Sequence, residues 1–390
     1  MKITAVRCIP LSHEVPPEKR QRSDLGTRVK NDSTIIMVDT DEGLSGMGAA
    51  LGNPEVVRAI VEHELAPALI GMDPMFSERI YETMYNGSRV IPALRQGWAQ
   101  PEPTRRRGTV MEAISGIDLA VWDVKARALG VPIYKALGAV RDQVRGYASG
   151  GWAPGDEAEA EMAGYAAKGF TAVKMRVVGH DGFSYEKAVR RIAAARRGIG
   201  PDVELFIDAH GALDVSTSIR LAKLVEEYDI SWFEEPISPD DHAGLRLVRQ
   251  ATTIPIATGE REFTRFDFND LLDHEAMDIA QPDIGRAGGF TEIRRISALT
   301  SARQVRLAPH AWSNGVLFAA SIHLACHCPN CHILEVSQAH MPMMYELFEE
   351  PFDIGADGEV RPPEKPGLGF TLRKDALERF KYIPGPSSVW

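Results

Sequence analysis

Glu204-Leu205-Phe206-Ile207-Asp208, Ile230-Ser231-Trp232-Phe233-Glu234 and Ile254-Pro255-Ile256-Ala257-Thr258-Gly259-Glu260 are three apolar runs, each closed by a carboxylate. Three more runs follow: Met277-Asp278-Ile279-Ala280-Gln281-Pro282-Asp283, Val305-Arg306-Leu307-Ala308-Pro309-His310 and His332-Ile333-Leu334-Glu335. Their closing residues stand 26 (208 to 234), 26 (234 to 260), 23 (260 to 283), 27 (283 to 310) and 25 (310 to 335) positions apart. A buried strand, a loop and a helix take about that many residues in a β/α barrel of ordinary length, and such a barrel keeps its chemistry where the strands end. Five carboxylates and a histidine at this period predict a single polar site.

Counting backwards, Val144-Arg145-Gly146-Tyr147-Ala148-Ser149 and Phe170-Thr171-Ala172-Val173-Lys174-Met175-Arg176-Val177-Val178 bring the strands to eight. Helical patterns such as 184–197 and 216–228 lie between them, and this alternation is the mark of a parallel α/β sheet. Gly288-Gly289 reads as a tight turn, because it lacks the Gly-x-Gly-x-x-Gly spacing of a dinucleotide site. The first 140 residues differ: strands over 3–11 and 33–39 precede helices over 54–70, 76–85 and 109–129, which predicts a separate α+β domain. The predicted organisation is an N-terminal α+β capping domain over 1–135, a barrel over 136–352 and a C-terminal segment over 353–390. That segment is rich in Pro and Gly and is expected to pack back on the capping domain.

At 390 residues, the chain is long enough for a barrel and a second domain, and 44% apolar with 25% charged residues is ordinary for a soluble protein. A formal net charge of −10 argues against nucleic acid or an anionic membrane as partner. No apolar run approaches a membrane span, and the first residues lack a signal peptide's hydrophobic region, so the cytoplasm is the expected location. Cys326, Cys328 and Cys331 beside His327 and His332 invite a zinc reading. Their spacing fits a structural zinc site poorly, and buried thiols at the barrel's non-catalytic face are the better expectation. Two basic stretches remain. Arg105-Arg106-Arg107 reads as a solvated loop. The segment 13–32, with Lys19, Arg20, Arg22, Arg28 and Lys30, is longer than a hairpin needs and is either a solvated loop or a lid.

Asp208, Glu234 and Glu260 close adjacent strands, so their carboxylates can converge, and they would repel one another unless a cation sat among them. All-oxygen ligands favour a hard ion, Mg²⁺ before zinc, one per subunit. Asp283 and His310 close the next two strands; a carboxylate that fixes an imidazole's tautomer makes a general base.

Lys174-x-Arg176, Asp208-Ala209-His210, Glu234-Glu235-Pro236, Gly259-Glu260, Gln281-Pro282-Asp283 and Pro309-His310 together resemble the signature of the enolase superfamily, mandelate racemase subgroup. The resemblance covers essentially the whole chain. It implies a (β/α)7β modified TIM barrel whose last helix is reduced, with an N-terminal α+β capping domain completed by the C-terminal segment. It implies Mg²⁺ on Asp208, Glu234 and Glu260, a His310–Asp283 dyad and a hydrogen-bonding acid at Glu335. The implied partner is a small-molecule carboxylate, and the expected assembly is a homo-oligomer, dimer to octamer.

One departure is informative. Many members carry Lys-x-Lys on the second strand, the second Lys serving as a base; here Arg176 stands there, stays protonated and is a poor base. That counts against racemisation, and Lys174 and Arg176 are instead expected to hold the substrate carboxylate. His210, two residues beyond Asp208, is expected to point the same way into the barrel mouth. Asp208-x-His210 resembles the acid-sugar dehydratases similar to galactonate dehydratase, in which that His protonates the leaving hydroxyl. A His that only hydrogen-bonds substrate is the bland alternative. A Mg²⁺-dependent dehydratase of a sugar acid is therefore expected. A sugar-lactone cycloisomerase is second, since Pro309-His310-Ala311-Trp312 and Pro366-Gly367-Leu368-Gly369 also resemble such members, with Trp312 beside substrate. A racemase or epimerase is third.

Overall fold

The computed structural model describes residues 1–20, 22–23, 26–98, 106–179 and 182–389. Eight parallel strands form the barrel: Val144–Gly150, Ala172–Arg176, Glu204–Asp208, Ile230–Glu234, Ile256–Thr258, Ile279–Ala280, Arg306–Leu307 and Leu334–Ser337. Each pairs with the next along the series up to the seventh. The eighth pairs with the first, Leu334 opposite Gly146, and a bridge from Leu307 to Cys331 closes the ring. Helices of nine to fifteen residues follow the first seven strands, from Glu157–Ala166 to Gly315–His327, whereas a stub of four, Pro342–Tyr345, follows the eighth. This is a (β/α)7β barrel. Its interior below the strand ends is filled by Tyr147, Phe206, Trp232, Ile279 and Ile333. The Phe206 and Trp232 rings stack 3.4 Å apart and form a dry floor beneath the mouth.

The capping domain is an antiparallel sheet of Ile3–Glu14, Lys30–Thr40 and Ser45–Ala50, backed by the long helix Thr109–Ala128. Ser45-Gly46-Met47-Gly48 carries none of the β-branched pattern that marks a strand in sequence. Its glycines have a different cause. A Cβ on Gly46 would lie 2.2 Å from the Ala120 carbonyl oxygen, and one on Gly48 2.0 Å from that of Gly116. The strand is stripped of side chains so that the helix can lie directly on it.

That helix also joins the cap to the barrel. Asp118 accepts hydrogen bonds from the Thr291 N–H at 3.0 Å and hydroxyl at 2.6 Å, and Trp122 Nε1 donates to the same hydroxyl at 2.9 Å. Gly288 N donates to Ser115 Oγ at 3.0 Å, so the Gly288-Gly289 turn is where the cap seats on the barrel. Asp123, fully buried, accepts from the N–H of Met47 at 2.8 Å and of Leu368 at 2.7 Å, tying the cap sheet to the C-terminal segment. That segment first pairs with the barrel, Val360 opposite Val144, and then returns to the cap, Ser388 opposite Arg28 and Val389 opposite Thr27.

The described residues of the basic stretches make strand pairings and ion pairs. Within 13–32, Arg22–Ser23 and Gly26–Arg28 form a hairpin whose third strand is Ser388–Val389. Arg106 pairs with Glu64 at 2.5 Å, and Arg107 bridges to Asp267 on a barrel helix at 2.7 Å, which corrects the expectation of a solvated run. A second fork nitrogen of Arg107 also reaches Asp267, so the pair is bidentate and holds cap to barrel. Arg105 and the side chain of Arg22 lie outside the described residues. Cys326, Cys328 and Cys331 are buried, and burial pushes the first two thiols up to about 12 and about 11, away from the thiolate a metal needs. Arg141 Nη1 gathers the carbonyls of Ala325, Cys328 and Cys331 at 2.9, 3.2 and 2.7 Å. Among the described residues no helix is long and apolar enough to cross a membrane.

His323 sits at a junction of three segments, with Nδ1 accepting from the Tyr134 N–H at 3.3 Å and Nε2 donating to the Leu368 carbonyl at 3.1 Å. Both bonds suit the neutral ring, and burial lowers its pKa from 6.5 to about 4. Its contribution is therefore complete above pH 6.5 and is lost as pH falls towards 4, a loss of about 3 kcal/mol. In urea unfolding, His323→Gln is expected to be less stable than native at pH 7.5 and to show a flatter decline below pH 6.5. An undiminished slope would exclude His323 as a source of the acid sensitivity.

Candidate active site

The mouth of the barrel holds a cavity of about 500 Å³. Lys174, Arg176, Asp208, His210, Glu260, His310, Trp312 and Glu335 line its barrel side. Val15, Lys19, Arg28 and Asn31, from the 13–32 segment, line its cap side. Of the six strand-end residues read from sequence, Asp208, Glu260, His310 and Glu335 line this cavity, whereas Glu234 and Asp283 stand behind it against Lys174 and His310.

Glu234 ends the fourth strand and is fully buried. Lys174 Nζ donates to its Oε1, while Gln281 Nε2 at 2.6 Å and Trp232 Nε1 at 3.2 Å donate to Oε2. Burial raises its pKa to about 7; Lys174 opposes the rise, and Asp208, Glu260 and Glu335 add to it. Lys174 also reaches Glu335 Oε1 at 3.1 Å, and although burial lowers its pKa, the two carboxylates raise it well above the usual ammonium value. Glu335 in turn accepts from the Ala311 N–H at 2.8 Å. Burial favours its neutral form, but Lys174 and His310 outweigh that and hold it below the usual carboxylate range. Glu335 is thus held between the Lys174 ammonium and the Ala311 N–H, at the edge of the cavity.

His310 Nδ1 lies 2.6 Å from Asp283 Oδ2, and the other Asp283 oxygen accepts from the Gly285 N–H at 2.7 Å. With the carboxylate on Nδ1, Nε2 is left to face the cavity. Burial lowers the imidazole pKa, yet Glu260, Glu335 and Asp283 together raise it to about 10. Glu260 lies between two histidines: His310 Nε2 is 3.6 Å from its Oε2 and His210 Nε2 is 3.5 Å from its Oε1. Burial would raise the Glu260 pKa, but His310, His210, Lys174 and Arg261 bring it down to about 2.

His210 reaches the cavity by a route other than strand alternation. The third strand ends at Asp208, and His210 stands in the left-handed region at φ 51°, its N–H bonded to Asp208 Oδ1 at 2.6 Å. The Asp208 carboxylate thus braces the turn that aims the histidine. Arg176 Nε lies 3.8 Å from Asp208 Oδ2, and Trp312 meets Trp152 edge-on at 5.6 Å.

Two residues escape the sequence pattern. Glu235 follows Glu234, so alternation would turn it away, but its φ of 35° brings it back beside the site. Its carboxylate is buried, pushed well up by that burial and by Glu260, and meets Arg261 Nη2 at 3.2 Å. Arg286, three positions after Asp283, lines the cavity and donates from Nη1 to the Glu260 carbonyl at 3.2 Å.

The donor set fits a hard divalent cation. Asp208, Glu234, Glu235 and Glu260 offer oxygen ligands in a buried cluster, and the ligand atoms of His210, Glu235 and Glu260 lie within 4.8 Å of one another. A cation there would offset both the repulsion that raises Glu234 and the attraction that raises His310.

The fold and sequence match known proteins over nearly the whole chain. Residues 10–138 match the mandelate racemase / muconate lactonizing enzyme N-terminal domain, and residues 157–376 match the enolase C-terminal domain-like family. The chain belongs to the enolase superfamily, in its mandelate racemase subgroup, and is an enzyme of the lyase or isomerase type. It is 35% identical over 400 residues to the D-galactarolactone cycloisomerase of Agrobacterium fabrum, covering 99% of this chain and 100% of that one. It is 35% identical over 374 residues to the D-galactonate dehydratase of Ralstonia pickettii, covering 91% and 93%. A crystal structure of an enolase-superfamily member from Polaromonas sp. JS666 superposes with a TM-score of 0.89 at 31% identity, covering 100% of both chains.

Lys174 touches both Glu234 and Glu335, so removing it leaves two buried carboxylates short of a partner. Lys174→Met is expected to cost about 3–5 kcal/mol of unfolding free energy at pH 8. The cost should shrink at pH 5, where the carboxylates take up protons. Equal stability of variant and native protein at pH 8 would contradict this account.

Proposed function

We propose that the protein removes the proton α to a sugar acid's carboxylate and then expels the β-hydroxyl, giving a 2-keto-3-deoxy acid. The observation that carries this reading is the placement of two imidazoles against the two oxygens of Glu260, at 3.6 Å for His310 and 3.5 Å for His210. An elimination needs a base for the α-proton and an acid for the leaving oxygen, and two histidines either side of one carboxylate supply both. His310 is the base: Asp283 on Nδ1 fixes its tautomer, and Nε2 takes the proton. His210 gives a proton to the departing oxygen. Lys174 and Arg176 hold the substrate carboxylate, and Glu335, in its protonated form, donates to its other oxygen. Asp208, Glu234 and Glu260 would hold Mg²⁺, one per subunit, with Glu235 close by. When bound, Mg²⁺ supplies positive charge to the substrate carboxylate as its α-carbon loses a proton. Trp312 and the 13–32 segment enclose the remainder of the substrate, the segment acting as a lid.

A sugar-lactone cycloisomerase is the second reading, favoured by the relative of that activity that matches 99% of the chain. It uses the same base and expels a ring oxygen instead of water. Racemisation needs a base on each face of the α-carbon, and Arg176, held against Asp208, is a poor one.

Exhaustive chelation is expected to abolish turnover of aldonates, aldarates and their lactones, and Glu234→Gln to weaken divalent-ion binding in calorimetry. Undiminished activity after chelation would refute the metal assignment. His310→Asn should stop α-proton exchange in D₂O and lower turnover by about 10²–10⁴-fold. His210→Asn should retain exchange while forming little keto acid. Equal loss of exchange in both variants would remove the division of labour.

A further inference from the structure

We propose that His242, Asp270 and His274 form a second metal site, on the helical outside of the barrel, for a borderline transition ion such as Zn²⁺. His242 opens the helix His242–Gln250, which follows the fourth barrel strand. Asp270 stands in the last turn of Thr264–Asp273, the helix after the fifth strand, and His274 caps that helix. None of the three lines the cavity at the barrel mouth.

Ligand atoms from the three side chains lie within 4.8 Å of one another. Asp270 Oδ2 is 2.5 Å from His242 Nδ1 and 3.4 Å from His274 Nδ1. Neighbouring ligand atoms around a tetrahedral zinc stand about 3.3 Å apart. The second distance already has that value, and a small swing of Asp270, whose side chain is 55% exposed, opens the first. The buried Glu262 gives the cluster a direction: its Oε1 lies 3.2 Å from His242 Nε2. A carboxylate there takes the Nε2 hydrogen and turns the Nδ1 lone pair towards Asp270 and His274, the way a carboxylate orients a metal-ligating histidine. Without an ion, Glu262 and then Asp270 raise the His242 pKa, against burial, to about 9, so a proton holds the place that a metal would take. Two imidazoles and one carboxylate suit Zn²⁺, Ni²⁺ or Cu²⁺, whereas Mg²⁺ prefers oxygen alone. The site thus differs in chemistry from the oxygen cluster at the mouth, and an ion in it would clamp two neighbouring barrel helices together.

Equilibrium dialysis of the full chain against micromolar Zn²⁺ in excess Mg²⁺, at pH 8.5 to weaken proton competition, tests the site. The native protein is expected to hold one more equivalent of Zn²⁺ than His274→Ala or Asp270→Asn. Any zinc held at the mouth is common to all three and cancels in the difference. Glu262→Gln should weaken the extra equivalent about 10–100-fold. Co²⁺ in place of Zn²⁺ should give the native protein a visible d–d band that His274→Ala lacks. Zn²⁺ should also raise the melting midpoint of the native protein by more than that of His274→Ala, a comparison that reads only folded protein. Equal zinc content in native and variant proteins, a Co²⁺ band that survives the loss of His274, or equal midpoint shifts would each overturn the proposal.

Discussion

Burying carboxylates close together is costly, and this protein gathers six of them, Asp208, Glu234, Glu235, Glu260, Asp283 and Glu335, around one barrel mouth. Each would shed its charge in such a place unless cations or hydrogen-bond donors held it. The surrounding structure is arranged to do so unevenly. Glu260, between two imidazoles and near Arg261, becomes a strong acid; Glu234, despite Lys174, is pushed towards neutrality. Lys174 ties Glu234 to Glu335, and Asp283 is spent on orienting His310. The unequal outcomes matter more than the net charge. They separate a carboxylate that orients an imidazole, carboxylates suited to a cation, and an ammonium shared between two acids.

The dry floor of Tyr147, Phe206 and Trp232 makes these interactions strong, since few water molecules can screen them from below. The cap closes the mouth from above through one helix. Thr109–Ala128 presses on glycines of the cap sheet, hands Asp118 to Thr291 on the barrel, and hands Asp123 to both the sheet and the C-terminal segment. The attachment of the cap sheet, the barrel and the C-terminal segment to one another thus runs through the same few contacts.

The barrel was legible in sequence because its chemistry stands at the ends of its strands, where a polar residue after an apolar run marks both. Features made by backbone turns left no such trace. Glu235 and His210 occupy left-handed conformations that redirect them, so period-two alternation misplaces the first and reaches the second for the wrong reason. The strand Ser45–Ala50 hides because close packing demanded glycine where propensity would demand valine. Arg106 and Arg107 look like a solvated run until Glu64 and Asp267, distant in sequence, are seen beside them. Long-range pairing leaves no local pattern.

The hairpin over the cavity is completed by Ser388–Val389, which pair with Gly26–Arg28 across some 360 positions of chain. A polypeptide emerges from the ribosome N-terminus first. The cap sheet, the barrel and every strand-end residue of the site are therefore synthesised before the short strand that secures the hairpin exists. The pairing that latches the cover over the cavity thus comes after the barrel beneath it has been made, and until then the acids and histidines below face an unlatched roof.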